Sequence, residues 1–226
     1  MPHTAPPPRD ALLVGATGLV GRALLPQLVA DKRYAHVHLL VRRAVPGIET
    51  GPKLHVHLVD FANLRRIPPV DDVYIALGTT IKVAGSQQAF RQVDFDFVVE
   101  TARAAREAGA KRLAVVSALG ADAASRVFYN RVKGEMEAAV AGLGYDSVTI
   151  AQPSLLLGDR RALGQPERSG EVWATRLLSP FMALVPRGVR PIAARDVAAA
   201  MMAATLAGKS AVQVLRSADM QSAAMR

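Results

Sequence analysis

Three side chains in the middle of the sequence have the types and the spacing that proton transfer at a carbonyl group requires. Tyr129 and Lys133 are four residues apart, so in a helix the phenol and the ammonium lie on one face. Because a neighbouring ammonium stabilises a phenolate, we expect Tyr129 to act as a general acid or base near neutral pH. Ser117 follows a short apolar run twelve residues earlier, where its hydroxyl would hold a substrate carbonyl oxygen. The alternative is an exposed helix face with a half-packed tyrosine.

A glycine-rich segment near the N-terminus has the spacing of a phosphate-binding turn. Its glycines follow an apolar run and precede a helical pattern. The missing side chains, at Gly15 and Gly18 above all, would let backbone amides approach a pyrophosphate at the helix N-terminus. The alternative is a tight turn without a ligand. The residues predicted to contact a dinucleotide here are Gly15, Thr17, Gly18, Leu19, Val20 and Gly21.

The residues after the second and third predicted strands indicate which dinucleotide is bound. Arg42 and Arg43 end the second strand, and no acid stands there. An acid at this point of a dinucleotide fold accepts from the ribose 2′-hydroxyl, whereas an arginine pairs with a 2′-phosphate. We therefore predict NADP(H) in preference to NAD(H). Asp60 is expected to accept from the adenine amino group with Phe61 beside the ring, although an aspartate at a strand end also caps turns.

Short apolar runs alternate with helical stretches, and these elements must carry the candidate residues. Strands that are apolar on both faces are typical of a buried parallel sheet. The sequence therefore predicts an α/β fold, a Rossmann-like doubly wound parallel sheet with helices on both faces. The predicted strands are 11–14, 36–41, 54–59, 73–77, 113–117, 147–151 and 212–215. The predicted helices are 20–30, 87–108, 127–141, 171–184 and 197–207.

The chain is predicted to be one domain with short tails. Residues 1–9 are proline-rich and expected to be disordered, residues 10–216 form the nucleotide-binding domain, and residues 217–226 are a C-terminal tail. Past Pro153 the pattern loosens, with a loop over 158–170, and residues 153–195 are predicted to form a small C-terminal substrate-side region. Asp196 is the expected N-cap of the helix that follows.

The composition restricts the classes of function. The 226 residues include no cysteine, which excludes disulfide frameworks, thiolate zinc sites and cysteine nucleophiles. Lysine and arginine exceed the acids by 28 to 19, a net charge of +9. These basic residues are scattered and few aromatics accompany them, so we expect an anionic small ligand and no nucleic acid.

The hydrophobic pattern predicts a protein of the cytoplasm that does not bind membranes. The longest uncharged stretches have 12 residues, whereas a membrane span needs roughly 18 or more. The N-terminus lacks the apolar core of a secretory signal.

Four histidines form two pairs at a spacing of two residues. His36 and His38 belong to one predicted strand, and His55 and His57 to the next, so each pair lies on one face of its strand. No carboxylate motif accompanies them, and they fall toward the strand beginnings, away from the edge where ligands are expected. No metal site is therefore predicted.

Taken together and in order, these motifs resemble the short-chain dehydrogenase/reductase superfamily. The glycine spacing of residues 15–21 is similar to that of its extended and atypical branches, and segments 77–80, 116–122, 128–135 and 158–160 resemble the atypical reductases of the Tat-interacting-protein type. The resemblance covers roughly residues 10–210. It implies a Rossmann fold that binds NADPH, with Tyr129 as acid/base, Lys133 on the nicotinamide ribose and Ser117 orienting the substrate. The further cofactor contacts that it implies come from Leu77, Gly78, Thr79, Thr80, Pro153, Ser154 and Leu155.

Two positions depart from the pattern of that superfamily. Ala118 stands where a second hydroxyl is common after the fifth strand, and Gln152-Pro153-Ser154 replaces the usual Arg-Pro-Gly after the sixth. We predict an NADP(H)-dependent oxidoreductase that transfers a hydride to or from a small carbonyl or alcohol substrate. Two alternatives stay open: an NADPH-binding regulatory or sensor protein, and an enzyme like the nucleotide-sugar epimerases and dehydratases, which the short C-terminal part disfavours. The expected partners are a small-molecule substrate and, in a homodimer, a second copy of the chain.

Overall fold

The computed structural model describes residues 7–64, 66–157, 186, 188–209 and 211–223. The strands are β1 (Arg9–Val14), β2 (Tyr34–Val41), β3 (Leu54–Leu58), β4 (Asp72–Ile75), β5 (Arg112–Val116), β6 (Ser147–Gln152), β7 (Leu156–Leu157), β8 (Ile192–Ala193) and β9 (Ala211–Arg216). The helices are α1 (Leu19–Ala30), α2 (Ile81–Ala84), α3 (Gln87–Arg91), α4 (Phe97–Glu107), α5 (Phe128–Ala141), α6 (Ala194–Ala207) and α7 (Ser217–Ala223). A 3₁₀ turn covers Phe61–Asn63, and a π-helical turn, Gln92–Asp96, joins α3 to α4.

Seven of the described strands form one parallel sheet in the order β3-β2-β1-β4-β5-β6-β9. The strand order reverses between β1 and β4, so the connections that leave these neighbours diverge. A crevice forms at such a point outside the carboxyl ends of the strands, where open parallel sheets bind ligands. The Rossmann-like doubly wound fold that the sequence predicts is confirmed.

Apolar residues at helical spacing attach helices to both faces of the sheet. On one face, Leu24 and Leu28 of α1 pack in the same buried cluster as Val197 and Met201 of α6. On the other face, α4 and α5 contribute Val98, Ala102, Ala105, Met136 and Val140. Because both faces are covered, the central strands β1, β4, β5 and β6 are almost fully buried, and their carboxyl ends are held in fixed positions. None of the described helices is both long and apolar enough to cross a membrane.

A buried polar cluster closes the amino-terminal edge of the sheet. Asp72, the first residue of β4, is fully buried and accepts a hydrogen bond from the Tyr34 hydroxyl at 2.6 Å. Its two carboxylate oxygens also pair with Arg112 at 2.5 Å and with Arg9 at 3.3 Å. The hydroxyls of Tyr34 and Tyr74 are 2.7 Å apart, and burial raises the pKa of both tyrosines. The cluster joins β1, β2, β4 and β5 where no ligand is expected.

The predicted elements within the described residues agree with the structure to within three residues at every end. One cap differs: α6 begins at Ala194 with Ala193 as its N-cap, so Asp196 lies in the first turn instead. An acid in that turn stabilises the helix through its dipole and does not cap it. The predicted loop over 158–170 and the predicted helix over 171–184 lie outside the described residues.

Both predicted tails are shorter than expected. Arg9 already belongs to β1, where its N–H donates to the Arg33 carbonyl at 2.8 Å. At the other end, Ser217–Ala223 form α7, because Met220 reaches the apolar cluster of α1 and α6 and is only 1% exposed. The C-terminal tail predicted over 217–226 is therefore helical in its described part.

Candidate active site

The crevice between β1 and β4 contains a cavity of about 400 Å³ at the carboxyl ends of the strands. It brings together the three predicted catalytic residues, Ser117, Tyr129 and Lys133. The predicted cofactor contacts that also line it are Gly18, Leu19, Val20, Leu77, Gly78, Thr79, Thr80, Pro153, Ser154 and Leu155. The remaining lining residues are Ala76, Lys82, Val83, Asp94, Val116, Ala118 and Leu156.

The turn between β1 and α1 needs its glycines for two different reasons. Gly15 has a φ of +89°, and a Cβ there would lie 2.4 Å from the Ala76 carbonyl oxygen. A Cβ at Gly21 would lie 2.1 Å from the Gly15 carbonyl oxygen. The fold itself therefore requires both glycines, and the expectation that Gly15 makes room for a pyrophosphate is corrected. Gly18 is different, because the nearest atom to its Cβ would be the Gly15 carbonyl oxygen at an ordinary 3.5 Å.

The N-terminus of α1 has the properties of an anion-binding site. Gly18, Leu19 and Val20 line the cavity, no side chain caps the helix, and the first turn contains no acid. The first N–H groups of a helix and the positive end of its dipole attract phosphate. A Cβ at Gly18 would make only ordinary van der Waals contacts, 3.5 Å from the Gly15 carbonyl oxygen and 3.7 Å from the Ala76 carbonyl oxygen. These residues fit the pyrophosphate of a dinucleotide.

Tyr129 and Lys133 line the cavity from α5, as their spacing predicts. The Tyr129 ring packs against Phe90 of α3, with ring centroids 5.3 Å apart. The Lys133 side chain is 3% exposed, and its Nζ lies 2.7 Å from Oδ1 of Asp94. Gly134 lets α5 lie against the loop after β5, since a Cβ there would be 2.1 Å from the Ala123 amide nitrogen. The helix therefore presents the phenol and the ammonium from a fixed position.

Ser117 contributes an unpaired hydroxyl directly after β5. The residue is 4% exposed, and its Oγ has no hydrogen-bond partner among the described residues. Its N–H donates to the Ala151 carbonyl at 2.7 Å, which fixes the backbone at this point. Leaving a buried hydroxyl unpaired costs about 1–3 kcal/mol. A ligand oxygen in the cavity would recover that cost, whereas the neighbouring Ala118 offers no hydroxyl.

The loop after β4 forms the facing wall and is fixed by two hydrogen bonds. The Thr79 N–H donates to Asp94 Oδ2 at 2.9 Å. The Thr80 hydroxyl accepts from the Val83 N–H at 3.2 Å and thereby caps α2. The sequence patterns do not indicate Asp94, Lys82 or Val83 as site residues. A sequence signal does exist for Asp94, because it is an acid on the apolar stripe of a predicted helix. Lys82 and Val83 lie in α2, whose four residues are too few to show any periodicity.

The wall after β6 is tied to the C-terminal part of the chain. The Ser154 hydroxyl donates to the Arg190 carbonyl and lies 2.9 Å from the Ser217 hydroxyl at the start of α7. The Pro153 carbonyl accepts from the Leu119 N–H at 3.0 Å. This wall is therefore held by the loop after β5 and by α7 together.

Several predicted cofactor contacts do not line the cavity. Asp60 caps the 3₁₀ turn, since its Oδ1 accepts from the Ala62 N–H at 2.9 Å. Phe61 is 5% exposed and packs on Phe97 with ring centroids 5.8 Å apart. The Phe61 ring therefore belongs to the apolar core, and the expected positions of Asp60 and Phe61 beside an adenine stay predictions. Thr17 is exposed in the turn between β1 and α1, and Arg42 and Arg43 are exposed directly after β2. Their contacts with a cofactor stay predictions.

The four histidines lie together on one face of β2 and β3. His38 Nδ1 and His57 Nε2 are 3.0 Å apart, and His36 Nδ1 lies 2.9 Å from Asp10 Oδ1. The pKa of His38 is lowered to about 4, mainly because the side chain is partly buried and to a smaller extent because His57 and His55 are nearby. In the part of the chain that the structure describes, no group of three or more His, Cys, Asp or Glu residues is arranged to hold a metal ion.

The sequence matches one known family and is similar to named proteins of other organisms. The profile of a family described as NAD(P)H-binding matches residues 15–164. The chain is 34% identical over 211 residues to the mitochondrial protein fmp52 of Aspergillus fumigatus, covering 90% of this chain and 88% of that protein. It is 34% identical over 173 residues to protein HTATIP2 of Rattus norvegicus, covering 74% and 69%.

Solved structures with low sequence identity share the fold. The structure of MoeE5 in complex with UDP-glucose and NAD has a TM-score of 0.65 and 17% identity, covering 92% of this chain and 76% of that chain. A short chain dehydrogenase family protein from Francisella tularensis has a TM-score of 0.66 and 12% identity, covering 95% and 99%.

The relatives correct one expectation. Seven of the fungal proteins that match are named as mitochondrial. The cytoplasmic location predicted from the sequence is therefore wrong. The lack of a secretory signal argues against export, but it does not distinguish one intracellular compartment from another.

Proposed function

The chain belongs to the NAD(P)H-binding family, and on that premise we propose that it is an NADP(H)-dependent oxidoreductase for a small carbonyl or alcohol substrate. The observation that carries the proposal is one cavity in which Ser117, Tyr129 and Lys133 lie with the uncapped N-terminus of α1. A protein that only held a dinucleotide would need the helix terminus but no acid/base group. The additional side chains favour an enzyme.

The helix terminus and Lys133 would hold the cofactor. The N–H groups of Leu19 and Val20 would donate to the pyrophosphate, whereas the Gly18 N–H already donates to the Gly15 carbonyl at 3.0 Å. The Lys133 ammonium would donate to hydroxyls of the nicotinamide ribose. The nicotinamide, when bound, supplies or accepts the hydride. The loop after β4 and the wall formed by Pro153, Ser154 and Leu155 would enclose the dinucleotide from two sides.

Tyr129 and Ser117 would act on the substrate oxygen. During reduction, the Tyr129 hydroxyl would give its proton to the carbonyl oxygen as the hydride reaches the carbonyl carbon, and the product is an alcohol. During oxidation, the phenolate would take the alcohol proton back. The Ser117 hydroxyl, which has no partner among the described residues, would donate to the same oxygen and orient it. The burial of Ser117 supports this role, because a hydroxyl in that position gains most from a ligand partner.

The preference for NADP(H) over NAD(H) would come from the exposed end of β2. Arg42 and Arg43 offer two guanidinium groups there and no competing acid. Guanidinium groups bind phosphate with charge-assisted hydrogen bonds. The 2′-phosphate of NADP(H) would lie between them and the turn after β1.

One observation favours a second candidate, a cofactor-binding regulatory protein. Ala118 removes the second hydroxyl that related enzymes often carry, so Ser117 would have to orient a substrate alone. Such a protein would bind NADPH without turnover. The Tyr129→Phe variant separates the two candidates.

Activity is tested with NADPH and a panel of aldehydes, ketones and quinones, followed by loss of NADPH absorbance. Replacing Tyr129 by Phe keeps the ring packed against Phe90 but should lower turnover by about 10²–10⁴-fold. Tyr145→Phe is the matched control, since it removes a buried hydroxyl that donates to the Ala102 carbonyl away from the cavity. Equal turnover of the wild type and Tyr129→Phe would refute the catalytic role. NADPH binding with no turnover of any panel compound would support the regulatory protein.

A further inference from the structure

One charged side chain in the wall of the cavity has no role in the proposed reaction. The formally charged residues of the described lining are Lys82, Lys133 and Asp94. The Lys133 Nζ lies 2.7 Å from Asp94 Oδ1, so these two charges offset each other. Lys82 is exposed, and no acid among the described residues forms an ion pair with it. The described lining therefore has a net positive charge that comes from Lys82.

The segment that contains Lys82 is attached on both sides to the part of the cavity with the candidate catalytic residues. Lys82 belongs to α2, between the loop after β4 and α3. Three residues before it, the Thr79 N–H donates to Asp94 beside the candidate catalytic lysine. After it, Phe90 of α3 packs on the Tyr129 ring with centroids 5.3 Å apart. The Lys82 ammonium is therefore available to a substrate that reaches these residues.

The surface next to Lys82 is apolar and open to a ligand. Its neighbour Val83 also lines the cavity, and the Val83 side chain is 58% exposed. Covering exposed apolar surface with a ligand is favourable. Further apolar side chains of the described lining are Leu77, Val116, Leu155 and Leu156. Apolar walls with one unpaired ammonium fit a ligand that has an apolar body and an anionic group.

We propose that Lys82 is a specificity-determining residue that pairs with a carboxylate of the substrate, so that the enzyme acts on carbonyl compounds with a carboxylate group; this inference rests on the proposed function. A lysine ammonium is a compact single charge and matches the single charge of a carboxylate. A phosphate ester has a charge of about −1.5 to −2 at pH 7, whereas Lys82 is the one cation that the described lining leaves over. The carboxylate only binds, and the hydride and the proton move as they do for a neutral carbonyl compound.

The test compares 4-acetylbenzoate with its methyl ester, a ketone of similar size without the charge. Oxidised NADP⁺ cannot give a hydride, so both ketones are titrated by calorimetry into NADP⁺-saturated protein without turnover. The wild type should bind 4-acetylbenzoate more tightly by up to about fivefold, the upper range for an exposed ion pair. Lys82→Met should abolish this preference, and Lys82→Glu should reverse it through repulsion. In the wild type the preference should shrink as NaCl is added, because salt screens exposed charges.

Lys111→Met is the matched control for the loss of one lysine charge. Lys111 is exposed directly before β5, at the amino-terminal edge of the sheet and opposite to the cavity. This variant should keep the full preference for 4-acetylbenzoate. The NADP⁺ dissociation constant of Lys82→Met should equal that of the wild type, because the proposal gives Lys82 no contact with the cofactor.

The outcomes separate the inference from the proposed function. Equal binding of the acid and the ester by the wild type, or a preference that Lys82→Met retains, would overturn the inference. Weaker NADP⁺ binding by Lys82→Met with an unchanged ketone preference would assign Lys82 to the cofactor and overturn it as well. A wild type whose preference depends on Lys82 but that reduces neither ketone nor any panel compound would refute the oxidoreductase and support the carboxylate contact.

Discussion

Two buried aspartates at opposite edges of the same sheet have opposite surroundings. Asp72 lies at the amino-terminal edge, where the Tyr34 hydroxyl, Arg9 and Arg112 occupy both of its oxygens. Asp94 lies at the carboxyl-terminal edge beside a cavity, where it contacts Lys133 and the Thr79 N–H. The first cluster is complete within the protein, whereas the second has the unpaired Ser117 hydroxyl in the same cavity wall.

The difference shows how buried charge can serve stability or binding. Buried polar groups are normally paired, because an unpaired one costs free energy. The amino-terminal cluster follows that rule and ties four strands together. The carboxyl-terminal edge departs from it where the fold leaves a cavity, so polar groups there are available to a ligand. Substitutions at the two edges should therefore have separable effects.

The largest effect is expected from breaking the amino-terminal cluster. Asp72→Ala leaves two arginines without their buried partner and should lower the free energy of unfolding by about 3–5 kcal/mol, measured by urea titration. NADPH affinity of the folded fraction should stay unchanged. Asp31→Ala is the control: it breaks the Asp31–Arg33 pair, in which the arginine side chain is 62% exposed, and should cost less than about 1 kcal/mol. A loss as small as the control's would contradict the structural role of Asp72.

The opposite combination is expected at Ser117. Ser117→Ala removes a buried hydroxyl that has no partner among the described residues, so the free energy of unfolding should stay the same or rise. Turnover should fall by about 10²–10³-fold, as for loss of one donor to a reacting oxygen. Thermal unfolding and steady-state kinetics on the same preparation measure both. A variant that is less stable and fully active would show that the hydroxyl serves the fold.

A smaller effect is expected at the exposed end of β2. Arg42→Ala/Arg43→Ala should reduce the preference for NADPH over NADH by roughly tenfold or more, because charge-assisted bonds to the 2′-phosphate are lost. Calorimetric titration of both cofactors measures the ratio. Arg103→Ala on α4, whose arginine side chain is 53% exposed, controls for the general loss of positive charge. An unchanged ratio of NADPH to NADH affinity would mean that these arginines do not contact the 2′-phosphate.

The smallest effect concerns the histidines of β2 and β3. Because the pKa of folded His38 is lowered to about 4 from an ordinary 6.5, the unfolded chain takes up this proton first as the pH falls. Stability should therefore be lost between pH 6.5 and pH 4, and His38→Gln should reduce that slope. The pKa of His57 is also lowered by burial, so part of the slope should remain. Urea unfolding across this pH range gives the slope, and an identical slope in the variant would contradict the assignment.

The sequence predicts the fold well because its strands and helices carry strong periodic signals. Leu24 and Leu28 repeat at helical spacing in α1, and Ala11–Val14 form a continuous apolar run. The spacing of Tyr129 and Lys133 also predicts their shared face correctly. Short elements have no such signal, which explains why α2 and the β7–β8 pair are visible only in three dimensions.

The candidate site is less predictable because its details depend on neighbours far apart in sequence. Gly15 needs its conformation because Ala76 lies against it, a contact between two segments sixty-one residues apart. The Phe61 ring follows the third strand, where an adenine contact is expected, but in the structure it packs against Phe97 in the apolar core. Asp94 reaches Lys133 only because a π-helical turn brings it to the cavity.

The most direct test of the dinucleotide site is calorimetric titration of the wild type and Gly18→Val with NADPH. Gly18 has a φ of −82° and room for a Cβ inside the protein, so Gly18→Val should fold with a thermal unfolding midpoint close to that of the wild type. We predict that the wild type binds one NADPH per chain and that the folded Gly18→Val binds none, because its side chain takes the space of the pyrophosphate. Unchanged NADPH affinity in folded Gly18→Val would contradict the placement of the cofactor at the N-terminus of α1.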